Sequence, residues 1–84
     1  MYKVDKYNFK NGSVILYKNF NNSGEVIIYK NKKIFFKKYY INFDNAYNVF
    51  LAVTEWIERD IKDAIKAALL AIKKEFNEND NKYE

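Results

Sequence analysis

Through the first forty residues apolar positions come in short, partly alternating runs broken by Asn and Gly, and from Ala46 onward they recur at spacings of three and four. The first pattern is that of strands and the second that of a helix buried along one side. Runs rich in Val, Ile, Tyr and Phe, as pleated half-buried surfaces prefer, predict strands over about residues 2–10, 13–20, 25–30 and 33–41. The punctuation between them is specific. Lys10-Asn11-Gly12-Ser13 predicts a hairpin closed by a type I′ turn at Asn11-Gly12, Asn21-Asn22-Ser23-Gly24 a longer loop, and Asn31-Lys32 a second two-residue turn with Asn31 in the left-handed region.

A turn at Asn11-Gly12 sets Phe9 opposite Val14 and Tyr7 opposite Leu16, all four on one face, the expected core. A turn at Asn31-Lys32 pairs Tyr29 with Ile34 and Ile27 with Phe36 on one face. It leaves Val26, Ile28 and Phe35 on the other with Lys30, Lys33 and Lys37. Both faces of this hairpin carry apolar residues, so the pattern alone does not choose the buried one.

The helical pattern runs Ala46, Phe50, Val53, Ile57, Ile61, Ile65, Ala68, Ile72 and Phe76, with Asp44 as the expected N-cap. The expected architecture is therefore α+β: a four-stranded antiparallel meander, then one long C-terminal amphipathic helix over about residues 45–76. Residues 1–76 form a single domain and 77–84 a frayed polar tail. A helix of about 32 residues spans roughly 48 Å, against about 26 Å for an eight-residue strand. It overhangs its sheet, and Trp56, Leu69 and Leu70 lie off the main apolar stripe. Either a second copy covers them, or the helix breaks near Glu58-Arg59-Asp60 with Asp60 capping a second helix. The lack of Gly or Pro there favours one helix and a homodimer with Trp56, Leu69 and Leu70 at the contact.

Composition narrows the function. The 84 residues include 49% hydrophobic and 19% aromatic residues, enough for a core, although a domain this small holds only about 3–5 kcal/mol of stability. Neither Cys nor His is present, which removes thiol nucleophiles, imidazole bases, zinc–thiolate sites and the Ser-His-Asp arrangement. Glu55, Glu58, Asp60 and Asp63 are close in sequence but read as a solvated, ion-paired helix face. A tyrosine nucleophile at Tyr39 or Tyr40 lacks a supporting basic cluster, the chain having one arginine, Arg59. No catalytic residue, metal site or cofactor is expected. The N-terminal residues contain no apolar stretch, and the longest apolar run, Ala67 to Ile72, is six residues, far short of the roughly 18–20 that span a bilayer. The expectation is a soluble, cytoplasmic protein without membrane contact.

Charge divides by half: residues 1–43 carry nine Lys against Asp5 and Glu25, net +7, and residues 44–84 are net −3. Lysines interleave with rings in the first half, and the candidate partner or nucleic-acid contacts are Lys6, Lys10, Tyr17, Lys30, Lys33, Phe35, Lys37 and Tyr39. Such a face stacks bases and neutralises phosphates, or docks a protein, or is core beneath the helix.

A four-stranded meander followed by one helix resembles the layout of small single-stranded-DNA-binding coactivator domains, which dimerise through that helix, although no diagnostic motif accompanies the layout. In size and lack of catalytic groups the chain is similar to the anti-CRISPR proteins of phages and mobile elements, a profile and not a motif. The expected function is non-enzymatic and stoichiometric: a small phage or mobile-element inhibitor or regulator of a host nucleic-acid-handling machine, its partner a host protein or nucleoprotein complex. The alternative is direct binding of single-stranded DNA or RNA.

Overall fold

The computed structural model describes residues 1–71. Four strands, β1 (Tyr2–Phe9), β2 (Gly12–Lys18), β3 (Gly24–Lys30) and β4 (Lys33–Tyr40), form one antiparallel sheet in the order β1-β2-β3-β4. Helix α1 (Phe43–Trp56) follows, and a second helix, α2, occupies 61–71. The α+β meander matches the expectation; a single continuous helix does not form. The expected residues 72–76 of the helix and the tail 77–84 lie outside the described residues.

The break has a polar cause. The Trp56 carbonyl accepts from both Arg59 N (3.0 Å) and Asp60 N (3.2 Å), closing α1, and the Asp60 carboxylate accepts from Lys62 N (2.8 Å), capping α2. Asp60 offers the backbone a local partner that competes with helix continuation, so neither Gly nor Pro is needed. Asp60→Ala should remove this cap at a cost of about 1 kcal/mol. Helical circular dichroism should fall, with the loss confined to amides of α2 in hydrogen exchange. At the other end the N-cap is Asn42, whose side chain accepts from Asp44 N, so α1 starts at Phe43 and Asp44 lies in its first turn.

Among the described residues the helices cover one face of the sheet only. Val14, Leu16, Val26 and Ile28 are fully buried there beneath Ala46, Val49, Phe50 and Val53 of α1, with Ile57, Ala64 and Ala68 extending the cluster. Each Val, Leu, Ile and Phe among them contributes roughly 1.5–3 kcal/mol, the alanines less.

Two details of register decide what the open face shows. The first turn is Lys10-Asn11, with Asn11 at φ 67°, so Phe9 pairs with Gly12 and Tyr7 with Val14. The expected pairing shifts by one residue on each strand, which leaves Tyr7, Phe9, Val14 and Leu16 on their expected common face. Gly12 sits inside β2 at negative φ, where a Cβ would run into the Tyr29 carbonyl oxygen and the Phe9 ring. It is needed for close approach and not for the turn.

The second turn, Asn31-Lys32, has both residues at positive φ (53° and 66°), the geometry of a type I′ hairpin. Beyond it β4 carries a bulge: Tyr29 pairs with Ile34 but Ile28 with Phe36, leaving Phe35 as the extra residue. The bulge reverses the expected partition for β4 beyond Phe35, while Lys30 and Lys33 stay on the side of Val26 and Ile28, and Ile34 stays with Ile27 and Tyr29. Val26, Ile28 and Phe36 face the helices, while Lys37 and Tyr39 are carried to the opposite face beside Ile27.

Candidate functional site: the open sheet face

Strand pairing fixes the open face as three rows across the four strands. The middle row is Lys6, Ile15, Ile27 and Lys37; on one side of it lie Lys3, Tyr17, Glu25 and Tyr39, and on the other Asn8, Ser13, Tyr29 and Ile34. Ile15 and Ile27 are only 9% and 5% exposed although they stand outside the helix-covered cluster. Neighbours on the same face close over them, with flanking rings and the apolar stems of flanking lysines as the available cover. The result is an apolar centre between Tyr17 and Tyr29, with a lysine at each end of its row. Lys3, Lys6 and Lys37 against Glu25 make the face net positive. On β4 the edge is greasy as well as basic, with Ile34, Phe35 and Tyr39 each about half exposed.

The structure divides the residues expected to form one basic aromatic face. Lys6, Tyr17, Lys37 and Tyr39 share the open face as described. Phe35 stands at the bulge, exposed at its edge. Lys10, Lys30 and Lys33 do not join this face. Lys10 is in the first turn, Lys30 continues the row of Val26 and Ile28, and Lys33 pairs with Lys30 beside the second turn. Tyr29, Ile27 and Ile34 belong to the site but were absent from the expected set. Their period-2 spacing with Lys37 is masked by the bulge, which no turn residue announces.

Two of the four carboxylates, Glu58 and Asp60, have structural roles. The Glu58 carboxylate accepts a hydrogen bond from the Tyr7 hydroxyl, which, with smaller effects of burial and of the Glu58 charge, raises the Tyr7 pKa above the ordinary phenol value. The bond ties the connection between the helices to the covered side of β1. Its contribution is complete below the ordinary tyrosine pKa and is lost as pH rises through the raised one. Asp60 caps α2, and among the described residues no three Asp or Glu side chains gather as a metal site.

Trp56 and Leu70 line a groove of about 310 Å³ with Asp63, Lys66 and Ala67, and Leu69 is half exposed nearby. The overhang that pointed to a second copy required a continuous helix, and the break removes that ground. Among the described residues no helix is long and apolar enough to cross a membrane.

Neither a family model, nor a curated protein, nor a solved structure matches the chain. Fold-level analogy therefore contributes nothing, and function has to be argued from the surface itself.

Proposed function

We propose that this protein is a non-enzymatic binder that acts stoichiometrically on a protein component of a nucleic-acid-handling machine, as its inhibitor or regulator, through the open sheet face. The observation that carries the reading is the Lys6-Ile15-Ile27-Lys37 row between Tyr17 and Tyr29. An apolar centre with tyrosines around it and charges at the rim is the anatomy of a protein interface. The choice of machine rests on charge. A nucleoprotein complex presents carboxylates and phosphates beside its protein surface, and a lysine rim is complementary to both.

A second reading, direct binding of single-stranded DNA or RNA, is favoured by three rings, Tyr17, Tyr29 and Tyr39, standing on the same face as three lysines. The two separate in one experiment. The protein is used to capture partners from a host lysate with and without nuclease, beside a Lys6→Glu, Lys37→Glu variant. The proposal expects a nuclease-resistant protein partner, lost in the variant, whose activity is blocked at one protein per complex. Recovery of nucleic acid alone, abolished by nuclease, selects the second reading. Catalytic turnover of a substrate by the purified protein would overturn both.

A further inference from the structure

The lysines that do not reach the open face gather elsewhere. The two hairpin turns lie side by side at one end of the sheet, joined by a hydrogen bond from Asn31 N to the Asn11 carbonyl (2.8 Å). Between them and the connection from α1 to α2 lies a cleft of about 580 Å³, within the range of small-ligand sites. Its walls divide by chemistry. Lys10 comes from the first turn, Lys30 from β3 and Arg59 from the helix connection; the half-buried Phe9 and Ile61 supply apolar surface; Asn11 supplies an amide.

Two carboxylates, Glu58 and Asp60, also border the cleft and keep their charge, Glu58 beside Tyr7 and Asp60 as the cap of α2, so three cations against two anions leave the lining net positive by one. Among the described residues no ion pair joins either of them to Lys10, Lys30 or Arg59. Lys32 and Lys33 stand on the adjacent turn, so the mouth of the cleft is positive on the sheet side.

We propose that this cleft binds a nucleotide, either free or as the 5′-phosphorylated end of a strand. The phosphate would sit among Lys10, Lys30 and Arg59, whose planar guanidinium can engage two phosphate oxygens at once. The base would lie against Phe9 and Ile61, and Asn11 is placed for a sugar hydroxyl. An inorganic anion would use the cations and leave the apolar wall wet, whereas a purely apolar ligand would strand three charges. A nucleotide uses both kinds of wall. This site is separate from the open face and does not depend on the function proposed for that face.

The protein carries its own reporter. Trp56 is the only tryptophan, and the Arg59 guanidinium packs over its ring at 5.3 Å, so a ligand that draws Arg59 into the cleft changes Trp56 emission. Titration with adenosine and guanosine 5′-monophosphates should give a saturable emission change, matched by heat in calorimetry. A Lys10→Gln, Lys30→Gln variant should bind at least about tenfold more weakly, the loss expected for charge-assisted hydrogen bonds. The open-face Lys6→Glu, Lys37→Glu variant should bind mononucleotides as the wild type does. A 5′-phosphorylated oligonucleotide compared with its 5′-hydroxyl form then identifies the source. Tighter binding of the phosphorylated strand than of the mononucleotide assigns the cleft to strand ends, and the reverse order assigns it to free nucleotides. Equal affinity for inorganic phosphate, unchanged affinity in the Lys10/Lys30 variant, or no emission change and no heat at millimolar nucleotide would each overturn the proposal.

Discussion

Ile28→Ala should leave the protein without a stable fold at 37 °C, whereas Ile27→Ala, one residue away, should keep a cooperative transition. Both side chains are almost completely buried, at 0% and 5% exposure. They differ in what lies over them. Ile28 faces α1 in a cluster whose fixed backbones cannot collapse onto a cavity, so truncation costs about 2–5 kcal/mol. That is the whole stability expected of a domain this size, about 3–5 kcal/mol. Ile27 lies on the open face, where Lys37 and the tyrosines can settle into the space left by the truncation. Thermal unfolding decides the matter. At roughly 4–8 °C per kcal/mol, the midpoint of the Ile28 variant should fall at least about 10 °C further than that of the Ile27 variant. Equal shifts would mean that both faces are covered, and the open-face site would be lost with that result.

The same pair of residues shows how far the sequence could be read. Turn chemistry and β-rich runs place all four strands, with ends a residue or two from the observed ones, because Asn11, Asn22 and Asn31 take up the positive φ that turns demand. The face assignment of the second hairpin was not legible. Val26, Ile27 and Ile28 are a continuous apolar run, so period 2 carries no information there, and the decision falls to β4. In β4 the bulge at Phe35 reverses the parity between Ile34 and Phe36. A bulge residue that is itself aromatic looks like any other strand position.

The first hairpin shows why some errors do no harm. Moving the turn from Asn11-Gly12 to Lys10-Asn11 shifts the partners of Asp5 to Phe9 by two positions, which preserves their face; only Tyr2 and Lys3, beyond an irregularity between Lys3 and Asp5, shift by three. The helix break is intermediate. Asp60 was identifiable as a cap, but a cap inside an unbroken apolar stripe also reads as a solvent-facing carboxylate. What marks the break in the structure is the pair of bonds the Trp56 carbonyl accepts from Arg59 N and Asp60 N beside the Asp60 cap, an arrangement that the apolar spacing does not announce.

Tyr17→Ala and Tyr29→Ala, made singly, should each weaken partner binding by far more than it destabilises the fold. These rings stand on either side of the Ile15–Ile27 centre on the two inner strands, so a partner covering that centre must pack against both. Central, desolvated tyrosines are the residues at which truncation costs most, about 2–4 kcal/mol each, or roughly 30- to 1000-fold in affinity. Neither belongs to the helix-covered cluster. Each single variant should keep a cooperative calorimetric transition, lowered by loss of the cover that its ring gives Ile15 and Ile27, while the binding loss is larger. The lysines act differently. Lys6→Gln and Lys37→Gln remove rim charges, so they should slow association and flatten its salt dependence while changing dissociation little. If the occupant is instead a nucleic-acid strand, each lysine lost lowers the slope of log affinity against log salt by nearly one contact, and the tyrosine losses shrink to about 1–3 kcal/mol per stacked base. Stopped-flow association of the captured partner at several salt concentrations, with the tyrosine and lysine variants side by side, therefore reads the occupant's chemistry. Wild-type affinity in both tyrosine variants would remove the open face as the binding site for either.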